Sequence, residues 1–102
     1  MKIDNIDQAY LKSELLRVIS KHILLSQYKV FFFGSRVKGD NFPRSDIDLG
    51  ILGPEKIPSD IKFALEDELT DLPTLYTIDL VDFGSTSAKF KKEALKHTEP
   101  LN

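Results

Sequence analysis

The stretch FFFGSRVKGDNFPRSDIDLGIL, Phe31 to Leu52, decides the fold. Two apolar runs flank a loop that holds Gly34-Ser35 and the cations Arg36, Lys38 and Arg44, and the second run opens on Asp46-Ile47-Asp48. The first run, from Tyr28 to Gly34, is too short for a buried helix and rich in aromatic and β-branched residues, so it predicts a central strand covered on both faces. The second, SDIDLGIL, predicts another strand, ended by Gly53-Pro54. Side chains alternate along a strand, so Asp46, Asp48 and Gly50 share one face while Ile47, Leu49 and Ile51 share the other. The apolar face can pack on helices, but two carboxylates at i and i+2, with Cα atoms about 6.6–6.8 Å apart, repel each other. A divalent cation between them removes that conflict, and a hard ion such as Mg²⁺ prefers oxygen ligands of this kind.

The pattern recurs further on. LYTIDLVDF predicts a third strand, with Asp79 between Ile78 and Leu80. If that strand pairs beside the second, a strand spacing of about 4.8 Å brings Asp79 to the Asp46/Asp48 face. Three carboxylates so placed can hold two metal ions about 3.5–4 Å apart, an arrangement used for in-line phosphoryl transfer. Asp82 competes for the third position, but it differs in parity from Asp79, so an unbulged strand cannot present both on one face. Its place at the strand end, beside Phe83-Gly84, suits an exposed or capping carboxylate. The alternative for Asp46 and Asp48 is an edge strand whose charges block aggregation. That reading leaves the upstream Gly-Ser and the basic loop as coincidence.

Working outward, Leu11, Leu15, Val18, His22 and Leu25 recur at spacings of three and four, widened by Leu16, Ile19 and Ile23, which predicts an amphipathic helix from about Asp7 to Gln27. Pro58-Ser59-Asp60 opens a second helix with Ile61, Ala64, Leu65, Leu69 and Leu72 on one side, ended at Leu72-Pro73. Ser85, Thr86 or Ser87 caps a last helix with a thin apolar face of Phe90, Ala94 and Leu95. The expected order is helix, strand, strand, helix, strand, helix, in a small α/β layer structure.

The 102 residues predict one domain, spanning 1–102. An apolar fraction of 41% supplies a single core, and a net charge of −2 gives no field that would draw in nucleic acid or an anionic membrane. Phosphate binding must then be local. Cysteine is absent, which excludes disulfides and thiolate metal sites. No apolar run approaches the roughly 20 residues that span a bilayer, and MKIDNIDQAY lacks the apolar stretch of a signal peptide, so a cytoplasmic location is expected.

The Gly-Ser loop gives the carboxylates their context. Ser35-Arg36-Val37-Lys38 can form a short helical turn whose free N–H groups bind an anion, while Gly34 lets the backbone approach a phosphate. The Ser35 hydroxyl can donate to a phosphate oxygen, and Arg36, Lys38 and Arg44 can offset its charge. A Gly-Ser pair alone is a weak signal, being neither a GxGxxG nor a P-loop. Ten residues separate Ser35 from Asp46. Gly34-Ser35, that spacing, Asp46-x-Asp48 and the later Ile78-Asp79-Leu80 together resemble the DNA polymerase β-like nucleotidyltransferase superfamily. GSRVKG followed by SDIDLGI is similar to its minimal, stand-alone members. The resemblance covers roughly Tyr28 to Phe83.

The resemblance implies a mixed sheet with helices mainly on one side, and two-metal transfer of a nucleoside monophosphate from a nucleoside triphosphate such as ATP. On that pattern Gly34 and Ser35 bind the triphosphate, with Arg36 and Lys38 as weaker phosphate contacts. Asp46 and Asp48 hold two Mg²⁺ ions, and Asp79 ligates one of them and helps deprotonate the attacking hydroxyl. Minimal members are typically encoded beside a helical HEPN-domain protein, and several are similar to antitoxins that add AMP to a tyrosine of a HEPN ribonuclease toxin. A hetero-complex with such a partner is therefore expected, with self-association as an alternative way to cover so small a sheet. A rival reading is a non-catalytic antitoxin that acts by occlusion. Transfer to a small molecule such as an aminoglycoside is disfavoured, since those enzymes need a second domain.

Other residues take plainer roles. His22 is expected at the core boundary and His97 in the last turn of the last helix. Glu66 to Asp71 and Lys89 to Lys96 are expected to be solvated faces, and Phe31 to Phe33 core. Phe42, in the loop before Pro43, is the aromatic most suited to stacking on a nucleobase.

Overall fold

The computed structural model describes residues 8–34, 46–72 and 77–102. The expected turn from Ser35 to Lys38, Phe42 and Arg44 lie outside these. In chain order the elements are α1 (Gln8–Ser20), β1 (Lys29–Phe33), β2 (Asp46–Leu52), α2 (Ser59–Thr70), β3 (Thr77–Asp82), a 3-10 turn (Phe83–Ser85), α3 (Ala88–Ala94) and β4 (Thr98–Pro100). The strands form one mixed sheet in the order β3-β2-β1-β4. β1 runs antiparallel to β2 and to β4, and β2 runs parallel to β3. The expected architecture holds.

The period of two sorts each strand onto two faces. On one, Val30, Phe32, Ile47, Leu49, Ile51 and Leu80 are buried under α1 and α2, joined by Leu11, Leu15, Val18, Ile19, Leu65 and Leu69. On the other, Phe31 and Phe33 pack with Phe83 in a smaller cluster. The rings meet edge to face, Phe83 lying 5.1 Å from Phe31 and 5.2 Å from Phe33 between centroids. All three phenylalanines of β1 are thus core, as expected. Gly50 is the residue that lets this happen, because a Cβ there would come within 2.6 Å of the Phe31 ring and 2.7 Å of the Phe83 ring.

α1 and the end of the chain differ from expectation. α1 stops at Ser20, seven residues short of Gln27. The Ser20 hydroxyl donates to the Arg17 carbonyl, and tightened bonds from Lys21 N to Val18 O and His22 N to Ile19 O end the helix. Ile23 and Leu25 still pack against the core from the turns that follow, so the apolar period outlives the helix. The other difference is β4, a strand beyond the three expected. Pro100 and Thr98 pair with Phe31 and Phe33, and the Asn102 side chain then anchors the edge. It accepts from Val30 N at 2.8 Å and donates to the Leu25 and Tyr28 carbonyls at 3.1 and 2.9 Å. A three-residue strand containing proline carries no periodic signal.

His22 sits at the boundary as expected, its ring 2.7 Å from Glu68 of α2, with Lys21 3.3 Å from the other carboxylate oxygen. Glu68 is thus a tie between α1 and α2, within a helix face that is otherwise solvated. The hydrogen bond from His22, then that from Lys21, holds the Glu68 carboxyl below its ordinary value of 4.5. A depressed folded-state pKa contributes stability above the unfolded value that is lost as pH falls through the folded one. In Glu68→Gln, thermal melts between about pH 6 and pH 3 should show a shallower loss of Tm on acidification than the parent chain.

Candidate active site

β1 ends where β2 and β3 begin, because β1 is antiparallel to β2 and β3 is parallel to it. That common end of the sheet collects the candidate residues that the structure describes. Phe33 is the partner of Asp48, and Gly34 follows it directly. Across the parallel pair, Asp46 is in register with Thr77, Asp48 with Asp79, and Gly50 with Val81. Paired residues of parallel strands point to the same face, so Asp48 and Asp79 are side-by-side carboxylates. Asp79 is exposed and Asp48 half-buried, while Ile47, Leu49 and Leu80 between them face the helices. Asp46 is the first residue of β2. Its side chain lies outside the described part of the structure, as do Ser35, Arg36 and Lys38.

Gly34 has φ +90°, a conformation that L side chains rarely adopt. A Cβ there would collide with the Asp48 carboxylate oxygen. Backbone and carboxylate therefore touch at the end of β1, and only glycine leaves that approach open. The glycine that the sequence offered for a phosphate also makes room for the acid beside it. Among the described residues no group of three or more acidic, histidine or cysteine side chains is gathered closely enough to hold a metal by itself. Asp48 and Asp79 supply two hard oxygen donors of the kind Mg²⁺ takes, with Asp46 at the i−2 position of the same strand. The donor chemistry fits such an ion.

Asp82 has the opposite fate. Its parity turns it to the helix side, where it is 4% exposed. Its carboxylate accepts from Ile57 N at 2.8 Å, Gly84 N at 2.9 Å and Ser85 Oγ at 3.2 Å. It caps the 3-10 turn and ties the segment before α2 to the end of β3. Of the two placements open to it, capping is the observed one, in a buried rather than exposed setting.

At the other end of the chain, Ser87 proves to be the cap of α3, accepting from Phe90 N at 3.1 Å. α3 is short and ends at Ala94, so His97 stands beyond it rather than in its last turn. The segment from Lys89 to Lys96, expected to be a solvated face, places Phe90 against Phe33 and Phe83. Phe90 is the residue expected on the thin apolar face of this helix, and there it packs.

The sequence profile described as polymerase beta, nucleotidyltransferase matches residues 21–101. The chain belongs to this family. It is 32% identical over 87 residues to the probable protein adenylyltransferase MntA of Haemophilus influenzae, covering 83% of this chain and 76% of that one. Among solved structures, a toxin–antitoxin crystal structure with AMP-PNP superposes with a TM-score of 0.72 at 21% identity, over 89% of this chain and 72% of its own. A tri-AMPylated HEPN toxin in complex with its MNT antitoxin, from Shewanella oneidensis, contains a chain that superposes with a TM-score of 0.70 at 20% identity, over 93% of this chain and 72% of that one. These last two likenesses establish the shared fold.

The two aspartates of β3 should respond differently to substitution. Asp82→Ala orphans buried donors and should lower the unfolding free energy by about 2–3 kcal/mol in urea titrations. Asp79→Asn removes one of two like charges on adjacent strands, and without divalent metal it should leave Tm unchanged or raise it slightly.

Proposed function

We propose that this chain is a metal-dependent protein adenylyltransferase that acts as an antitoxin, transferring AMP from ATP to a hydroxyl, a tyrosine of a HEPN-type toxin. The observation that carries the reading is the in-register pair Asp48–Asp79 beside the left-handed Gly34. The likeness to MntA, a probable protein adenylyltransferase, supports the choice of AMP and of a protein acceptor. The HEPN toxin bound to the Shewanella oneidensis relative supports the choice of partner. The AMP-PNP complex of another structural relative supports a triphosphate donor.

On this reading residues 1–102 act as one catalytic domain. Gly34 and Ser35 receive the triphosphate, with Arg36 and Lys38 balancing its charge. Asp46, Asp48 and Asp79 would hold two Mg²⁺ ions, which when bound neutralise charge on the transferring phosphoryl group and its leaving oxygen. Asp79, exposed on the outer side of Asp48, accepts the proton of the acceptor hydroxyl. The acceptor oxygen then bonds to the α-phosphorus, the bond from phosphorus to the bridging oxygen breaks, and pyrophosphate leaves. In-line geometry puts acceptor and pyrophosphate on opposite sides of the phosphorus. A partner that presents its tyrosine over the β3 side meets that requirement. No described helix is long and apolar enough to cross a membrane, and the reaction is assigned to the cytoplasm, where ATP and the toxin are at hand.

The test uses ATP labelled at the α-phosphate, Mg²⁺, and the chain coexpressed with an unmodified HEPN-type partner. Label should appear on the partner. In Asp48→Asn it should fall by more than about a hundredfold, beyond the 10–100-fold that loss of an outer-shell metal partner costs. A complex that forms and neutralises the toxin equally well in Asp48→Asn, without label in either sample, would establish occlusion instead.

A further inference from the structure

Beside Gly34 the end of β1 faces α3 and the residues after it across a cleft of about 230 Å³, lined by Phe33, Gly34, Phe90, Glu93, Ala94 and His97. Strand order fixes where this cleft lies. Asp79 is on β3, Asp48 on β2 and Gly34 at the end of β1, and β4 lies beyond. Gly34 therefore stands between the carboxylates and the cleft. Phe90 is 42% exposed although its ring packs perpendicular to Phe33, with centroids 6.2 Å apart. An aromatic held by its neighbours yet open on one side is a ready stacking surface. Glu93 is a largely exposed carboxylate whose Oε1 accepts from Lys96 at 3.1 Å.

We infer that this cleft takes the nucleobase of the donor nucleotide, with Phe90 as its stacking wall and Glu93 as the group that selects a base bearing an exocyclic amine. The inference rests on the nucleotidyl-transfer reading above and gives that reading a base-binding subsite. Size supports it, since whole drug-sized ligands occupy roughly 300–1,000 Å³ and this cleft suits a single flat ring system. With the phosphates assigned to the Gly34 backbone by the reading above, the apolar wall of Phe33, Phe90 and Ala94 is left for the uncharged base. An ionised carboxylate can only accept hydrogen bonds. Adenine, cytosine and guanine each offer an amine to it, whereas uracil offers carbonyl oxygens on either side of its ring N–H. Glu93 should therefore disfavour uracil.

Binding of ATP and of UTP with Mg²⁺ is measured by calorimetry on the complex with its partner, alongside AMP-transfer kinetics. The wild type, Phe90→Ala and Glu93→Gln are compared. Stacking on an aromatic is worth enough that Phe90→Ala should bind ATP about tenfold more weakly. Glu93→Gln should reduce the preference for ATP over UTP about tenfold, because its amide can donate to a uracil carbonyl. Phe90 also packs on Phe83, so circular dichroism checks its variant. Glu93 is on the surface, and its variant decides the matter alone if Phe90→Ala unfolds. Wild-type ATP affinity and preference in Glu93→Gln, or no ATP preference in the wild type, would overturn the base site while leaving adenylyl transfer standing. Selective ATP binding that both variants weaken as expected, with no transfer to any partner, would keep the base site and overturn the transfer reading. Failure to bind any nucleotide would overturn both.

Discussion

The parallel pairing of β2 with β3 in the register that sets Asp48 beside Asp79 is the constraint on which the arrangement depends. A shift of one residue would turn Asp79 to the helices and bring an apolar neighbour out to the open face. The register is held by the opposite side of the same strands. Ile47, Leu49, Ile51 and Leu80 are all buried against α1 and α2, and slipping would expose them together. Burying an apolar side chain of this size contributes about 1.5–3 kcal/mol. That far exceeds the repulsion between two partly exposed carboxylates in water. The core thus fixes which residues of β2 and β3 share the open face.

The outer face is divided along its length by the same alternation. At the Gly50 end, the missing side chain admits the rings of Phe31 and Phe83, and the sheet has a small second core. At the Asp48 end the face stays polar, bounded by Gly34 on one side and Asp79 on the other. The aromatic cluster does more than add burial. By packing Phe83 and Phe90 against Phe33, it brings the 3-10 turn and α3 over β1, which builds a wall beside the carboxylates that the four strands alone would lack.

Much of this was legible from the residues because the signals were periodic. The alternation in DIDLGIL and in TIDLVD assigns both faces of β2 and β3, and by itself separates Asp79 from Asp82. Gly34 was legible as a close-approach glycine, though its contact with Asp48 was not, since antiparallel pairing sets that contact. The end of α1 was hidden because Ile23 and Leu25 keep the helical spacing while packing from turns. β4 was hidden for a different reason. Its three residues are specified by pairing with β1 and by Asn102, and neither leaves a trace in the local pattern.

Asp79 and Asp82 show how little local chemistry alone decides. Both are aspartates on one six-residue strand, each following an apolar residue. Three positions separate them, an odd number, so they must face opposite sides of the sheet. On the helix side a carboxylate survives burial only if its lone pairs are met, and Asp82 meets them with two backbone N–H groups and a hydroxyl. Those donors come from the chain's own turns, so Asp82 is satisfied by folding and has little left to offer a ligand. On the open side Asp79 stands exposed, next to a second carboxylate across the parallel pair. A carboxylate satisfied by the fold stabilises it, and one left on the open face stays accessible from solvent. The division of labour between these two aspartates follows from parity and from where the hydrogen-bond donors happen to lie.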